Sequence, residues 1–314
     1  MTTHKPIRRW QRLWSWTTLA TLILLLSACG QTNSGAGQPA APGTGATAAA
    51  FTPVVAASEL VVGRNRVPIG VIKNNAPLND PQLKVQLRFF PVGGDAVTPA
   101  AEAEAVYRGQ GLPAGLYVAY VTLDKAGGWN MEARIEQADG AAQVSRVRIE
   151  VVETASTPPV GSQAVASKNL TIKEMPDLAQ LTSDIKPDPD LYQITVADAI
   201  AAKKPFLVAF STPGFCQTAV CGPNLQVIKK IKNDLKGQVN FLHVEVYQYP
   251  FGDSFQQQRQ VPAMAEWKLQ TEPWTFLVDA NGVIQAKYEG GITFDEMEPA
   301  LKQLAAGQPV QPQS

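Results

Sequence analysis

Sulfur supplies the first chemistry in this sequence of 314 residues. Cys216 and Cys221 are separated by four residues in Ser211-Thr212-Pro213-Gly214-Phe215-Cys216-Gln217-Thr218-Ala219-Val220-Cys221-Gly222-Pro223, and Cys29 stands apart near the start. A thiolate attacks disulfides, and soft sulfur also suits Cu(I), so the close pair admits exchange chemistry, a copper site or a structural bridge. Imidazole is scarce: His4 and His243 are the two histidines, which excludes His-rich metal clusters and zinc-ribbon sites. Any Ser-His-Asp arrangement would depend on one ring, because His4 lies in a segment marked for removal. Lys plus Arg and Asp plus Glu number 27 each, so no global basic surplus points to a nucleic-acid partner. With 45% hydrophobic and 17% charged residues the chain is not wholly disordered, and its length suits about two domains.

The context of the cysteines begins at the amino terminus. Lys5, Arg8, Arg9 and Arg12 precede an apolar run from Trp14 to Leu26, too short for the ~20 residues of a membrane span and suited to a secretory signal over residues 1–28. The tetrapeptide Leu26-Ser27-Ala28-Cys29 resembles a bacterial lipobox. That resemblance implies cleavage before Cys29, acylation of its thiol and an extracytoplasmic protein anchored to the cell membrane by lipid. The exported part would carry 23 basic and 27 acidic residues, a net charge of −4. Residues 29–57 are dominated by Gly, Ala, Pro, Thr and Ser, and read as a flexible tether with an r.m.s. reach of ~30 Å.

Residues 58–153 show period-two patterning. Leu83-Lys84-Val85-Gln86-Leu87-Arg88-Phe89 and Val147-Arg148-Ile149-Glu150-Val151 alternate apolar and polar residues. Further strand-like runs are 67–73, 103–108, 116–123 and 129–136, separated by turn signals such as Asn74-Asn75 and Asp139-Gly140. About seven short strands in this length suggest an all-β, Ig-like sandwich. No catalytic constellation is visible there, and Trp129 reads as a core residue.

Residues 154–190 are rich in Pro, Ser, Thr and Asp and read as a linker or extended lead-in, and residues 309–314 as a disordered tail. Between them the texture is α/β. Thr195-Val196-Ala197-Asp198 caps a short helix that Pro205 stops, and Phe206-Leu207-Val208-Ala209-Phe210 is a strand covered on both faces. Leu225, Ile228, Ile231 and Leu235 mark a helix. A strand at 239–246, a helical segment at 261–269, strands at 274–279 and 283–288 and a last helix from Thr293 complete the order.

This order, the paired cysteines at a strand-to-helix junction and the later Glu272-Pro273-Trp274-Thr275 resemble the thioredoxin-like superfamily. The motifs span roughly residues 198–306, the domain 191–308, and its lead-in reaches back to about 165. The resemblance implies a thiol-disulfide oxidoreductase needing no dissociable cofactor, with exported protein thiols or disulfides as partners. In that pattern Cys216 attacks, Cys221 resolves, and Pro273 follows a cis peptide bond in the loop that receives the incoming disulfide. A helix amino terminus, with its partial positive charge, supports thiolate formation there.

Two departures from the family pattern matter. Four residues separate the cysteines in place of two. Five positions along an ideal helix span about 8.7 Å between Cα atoms, beyond the ~7 Å a disulfide tolerates, so Cys216 must lie outside the helix if the pair closes. Pro223 allows a helix start near Gly222, or a kink in one that starts at Gln217. In addition, Ala209 stands where thioredoxins carry a buried Asp that assists proton transfer. On the strand containing them, His243, Glu245 and Tyr247 share a face, and Glu245 could supply such an acid-base group. An alternative is a Sco-like copper factor using Cys216, Cys221 and His243, although Gln270 to Trp274, where that family carries its ligand His, has none. Another is an envelope interaction protein in which the pair is a structural disulfide.

Overall fold

A computed structural model describes residues 51–252 and 257–311. The signal segment, Cys29 and most of the expected tether lie outside the described residues, as do residues 312–314. Among the described residues no helix is long and apolar enough to cross a membrane. The fold has two parts within one compact unit, a large amino-terminal sheet and a smaller mixed sheet flanked by helices.

The first part contains strands β1 (Thr52–Val55), β2 (Gly63–Lys73), β3 (Ala76–Pro77), β4 (Lys84–Pro91), β5 (Ala101–Tyr107), β6 (Tyr117–Leu123), β7 (Gly127–Glu136) and β8 (Ala142–Val151). Their order is β1-β2-β6-β5-β4-β7-β8, with β3 paired to β2, and every neighbouring pair is antiparallel. The β2–β3 turn uses Asn74 and Asn75 at positive φ, a conformation Asn tolerates and a tight hairpin needs. Strand β5 turns the corner: Ala101 to Ala105 pair with β4, and Val106 and Tyr107 pair with β6. The Val62 amide donates to Val152 O and the Val152 amide to Leu60 O, both at 2.9 Å, which ties the segment before β2 to the end of β8. The result is a nearly barrel-like sheet, continuous through β5. Alternating residues fill it, among them Val85, Leu87 and Phe89 of β4 and Trp129, Met131, Ala133 and Ile135 of β7. Trp129 is a core residue, and its indole N–H donates to Lys125 O.

Strand β1 extends this folded part into the segment that composition assigns to the tether. The reason is local: Phe51 is buried, its amide donates to Gln143 Oε1, and its carbonyl accepts from Ser145. Residues 154–190 likewise do not run free. Residues 161–164 bond to Gly282 and Ile284, and Asp177 caps helix α1 (Leu178–Leu181). Asp188, the cap of the 3-10 turn Pro189–Tyr192, and Asp190 within that turn both pair with Lys232.

In the second part, helix α2 (Val196–Ala201) opens with the expected capping box, in which Thr195 and Asp198 satisfy each other's backbone amides. Strand β9 (Phe206–Ser211) is buried along its whole length. Then follow α3 (Cys221–Asp234), β10 (Asn240–Glu245), α4 (Pro262–Glu266), β11 (Trp274–Val278), β12 (Ile284–Glu289) and α5 (Phe294–Ala305). The sheet order is β10-β9-β11-β12, with β10 parallel to β9 and the other pairs antiparallel. Leu207 and Ala209 of β9 pack with Leu225, Ile228 and Ile231 of α3 and with Met297 and Leu301 of α5. Phe206, Val208 and Phe210 pack on the other face with Val196, Met264 and Trp267. Burial on both faces is what a continuous apolar strand requires.

Candidate functional site

The site forms where β9 hands over to α3. After Thr212 the chain makes two tight turns, Phe215 N to Thr212 O and Ala219 N to Cys216 O, and Ala219 takes a positive φ of 57°. Gly214 permits a close approach, since a Cβ there would lie 2.9 Å from Ser183 Cβ. The helix therefore begins at Cys221, with Pro223 in its first turn, where no intrahelical amide bond is lost. Cys216 stays outside the helix, its Cα 6.0 Å from that of Cys221, and the two are joined in a disulfide. This is the geometry the four-residue spacing demands.

The two sulfurs are not equivalent. Cys216 is half-buried, whereas Cys221 is 0% exposed. The Cys221 backbone amide donates to Cys216 Sγ at 3.3 Å, and the Thr218 hydroxyl lies 3.3 Å from the same sulfur. Val220, at the helix cap, offers no side-chain acceptor to the first-turn amides. The Cys221 amide and the positive end of a 14-residue helix thus face the Cys216 sulfur, where both favour an anion. Next to it Phe215 packs edge-on against Tyr247 and tilts against Phe251.

The Glu272-Pro273 peptide bond is cis, as expected, and leads directly into β11. Its acidic member carries a feature that sequence reading leaves without a role: Glu272 Oε2 lies 2.9 Å from Cys221 Sγ. Burial pushes the Glu272 carboxyl up, a hydrogen bond from the Thr212 amide pulls it down, and the Glu245 charge raises it further; it settles at about 7. The sequence clue was an acid immediately before the proline, but only packing brings it to Cys221.

Glu245 and His243 are buried on β10 but engaged elsewhere. Glu245 Oε2 accepts from the Ser183 amide at 2.8 Å and hydroxyl at 2.7 Å. These contacts tie residues of the lead-in to the loop that carries Cys216, because Ser183 Oγ also accepts from the Gly214 amide. His243 Nδ1 is hydrogen-bonded to Tyr192 at 2.7 Å, and Nε2 lies 2.9 Å from Ser211 Oγ and 3.0 Å from Ser211 O. Burial holds its pKa below the ordinary imidazole value despite the nearby Glu245 charge. Among the described residues, the one close group of three His, Cys, Asp or Glu donors is Cys216, Cys221 and Glu272, within 4.8 Å of one another. His243 is not in that group, so the proposed copper set of Cys216, Cys221 and His243 is not brought together. Its ring nitrogens are satisfied by Tyr192 and Ser211.

The family model described as a thioredoxin-like domain matches residues 192–305. Residues 192–305 are a thioredoxin-like domain. Its bonded cysteine pair at the start of α3 fits thiol-disulfide redox chemistry. A search of the curated proteins finds no match. Among solved structures, the crystal structure of a DUF4426 family protein from Pseudomonas aeruginosa PAO1 is 9% identical, covering 34% of this chain and 90% of that one with a TM-score of 0.23. The solution structure of a lipoprotein from Bacteroides thetaiotaomicron is 15% identical, covering 35% of this chain and 85% of that one with a TM-score of 0.20.

Proposed function

We propose that this protein is an extracytoplasmic thiol-disulfide oxidoreductase, with Cys216 as the attacking and Cys221 as the resolving residue, held at the cell membrane by lipid on Cys29. The observation that carries this reading is the closed Cys216–Cys221 pair at the amino end of α3, with its outer sulfur half exposed and its inner sulfur buried. In the reduced protein the Cys216 thiolate attacks one sulfur of an exported protein's disulfide, and the other sulfur leaves as a thiolate. Cys221 then attacks Cys216 Sγ, closes the intramolecular disulfide and releases the second partner sulfur. The reverse sequence oxidises an exported dithiol. Pro273 is assigned to the loop that receives the partner, and the sulfurs themselves carry the electrons. The lipobox-like tetrapeptide supports the anchor, and the barrel-like sheet is read as an Ig-like module between anchor and active site.

The test uses membranes from cells expressing the full chain. Cys221→Ser should fractionate with the membrane, carry a diacylglyceryl group on Cys29, and accumulate mixed disulfides with exported proteins. Cys216→Ser should accumulate few, because it lacks the attacking thiol. If neither variant traps a partner and the wild-type bond resists excess dithiothreitol, the pair is a structural bridge. Recovery of the intact leader on the mature protein would sink the lipid anchor.

A further inference from the structure

We propose that Glu272 is a catalytic acid-base residue of the exchange, taking the proton from Cys221 when that thiol attacks and returning it when Cys221 is the leaving sulfur. This rests on the oxidoreductase reading and deepens it. A thiol is a poor nucleophile until deprotonated, and a buried one meets no solvent base. Cys221 is fully buried and therefore needs a base inside the protein. The strand position where the resembled family keeps its buried acid is Ala209, which can transfer no proton. Glu245, the acid expected to compensate, is committed to Ser183, and His243 to Tyr192 and Ser211. Glu272 is the carboxylate in contact, with Oε2 2.9 Å from Cys221 Sγ, inside the distance that direct proton transfer requires.

The surroundings set its protonation range. From the loop after β9 the Thr212 amide donates to the carboxylate; from β10 Glu245 adds a negative charge; just beyond β10 the Tyr247 phenol is pushed up by burial, Glu272 and Glu245. From α3 the facing group is Cys221 itself. Burial outweighs the amide, and the carboxyl at about 7 exchanges its proton readily near neutrality, where a general acid or base is most effective.

The step balances as written. Once the Cys216-partner mixed disulfide has formed, the Cys221 thiol gives its proton to the Glu272 carboxylate. The resulting thiolate attacks Cys216 Sγ, a Cys216–Cys221 bond forms, and the bond from Cys216 to the partner breaks. The released partner thiolate takes up a proton, and Glu272 returns to the carboxylate by losing its own to water or to that thiolate. The two electrons lost by the cysteine pair reside on the partner's two sulfurs. In reverse, protonated Glu272 supplies the proton to Cys221 as an incoming thiolate displaces it from Cys216.

Stopped-flow reduction of the full chain's disulfide by dithiothreitol, across pH 5 to 9, tests the assignment in the wild type, Glu272→Gln and Glu272→Asp. Loss of one positioned general acid or base costs ~10² to 10⁴-fold in rate. Glu272→Gln should therefore slow the opening at neutral pH by roughly 10²-fold or more and lose the inflection near pH about 7. Glu272→Asp should keep a displaced inflection and recover part of the rate. Trapping at Cys216 in the Cys221→Ser/Glu272→Gln double variant should match that of Cys221→Ser, since the first attack does not use Glu272. Unchanged rate and pH profile in Glu272→Gln overturn the assignment, as does equal loss of trapping in the double variant, which marks Glu272 as merely structural. A wild-type bond inert to dithiothreitol instead removes the oxidoreductase reading, and this assignment falls with it.

Discussion

At the scale of single residues, the Cys216–Cys221 pair is asymmetric because its two sulfurs meet different neighbours. Cys216 faces backbone and hydroxyl donors, whereas Cys221 faces a carboxylate. That carboxylate has a thermodynamic signature independent of kinetics. In the oxidised protein Glu272 holds its proton up to about pH 7, while its ordinary value is 4.5. Between these limits the folded state binds more protons than the unfolded state, so Glu272 makes stability fall as pH rises through that window. Denaturant midpoints of oxidised wild type and Glu272→Gln should differ in slope between pH 5 and 7, with the variant flatter. Parallel curves would contradict the placement of this group.

The elements show how little sequence is needed to fix a short local structure. Helix α2 has six residues and depends on its reciprocal cap, Thr195 to the Asp198 amide and Asp198 to the Thr195 amide. Replacing an N-cap Thr by Ala costs about 1 kcal/mol. Thr195→Ala should accordingly lower stability by about that amount in urea unfolding without changing the reactivity of Cys216, because α2 packs on the sheet face away from α3. Helix α3 shows the complementary case. Its period and its proline locate the helix, and disulfide geometry excludes Cys216 from it, so the spacing of four residues and the start at Cys221 express the same constraint.

For the whole molecule, the two sheets are joined by a buried ion pair. Arg66 of β2 reaches both Glu296 oxygens of α5 at 2.7 and 2.9 Å, and donates to Glu289 O and Gly291 O. Tyr120 donates to Glu296 at 2.7 Å. Burial alone would raise the Glu296 carboxyl, but Arg66 and Tyr120 hold it below the ordinary range. The side chains are 6% and 1% exposed, so removing one leaves the other as an uncompensated buried charge, a loss of about 3 to 5 kcal/mol. Arg66→Met should show that loss in urea unfolding, and Arg66→Met with Glu296→Leu should regain most of it. Equal losses in single and double variants would mean that the pair is not coupled. The contact between the parts extends to the cysteine pair: Leu112 and Leu116, from the β5–β6 connection, pack with Val220, the residue before Cys221.

What the sequence determined by itself was local. The continuous apolar run from Phe206 to Phe210 made β9 legible, the 3.6-residue spacing made α3 legible, and alternation exposed the strands of the first sheet. The cysteine spacing required Cys216 to lie outside the helix if the pair closed, and the structure closes it. Tertiary structure decided the rest, because it depended on groups far apart in the chain. Glu272 meets Cys221 across 51 positions and Arg66 meets Glu296 across 230, and no periodicity or turn signal reaches so far. The lead-in looked like a linker because Pro, Ser and Asp bury little apolar surface. It is held by backbone bonds at residues 161–164, by Ser183 on Glu245 and by Asp188 and Asp190 on Lys232. Such polar contacts leave no hydrophobic pattern, and their partners exist only once β10, α3 and the sheet edge are assembled.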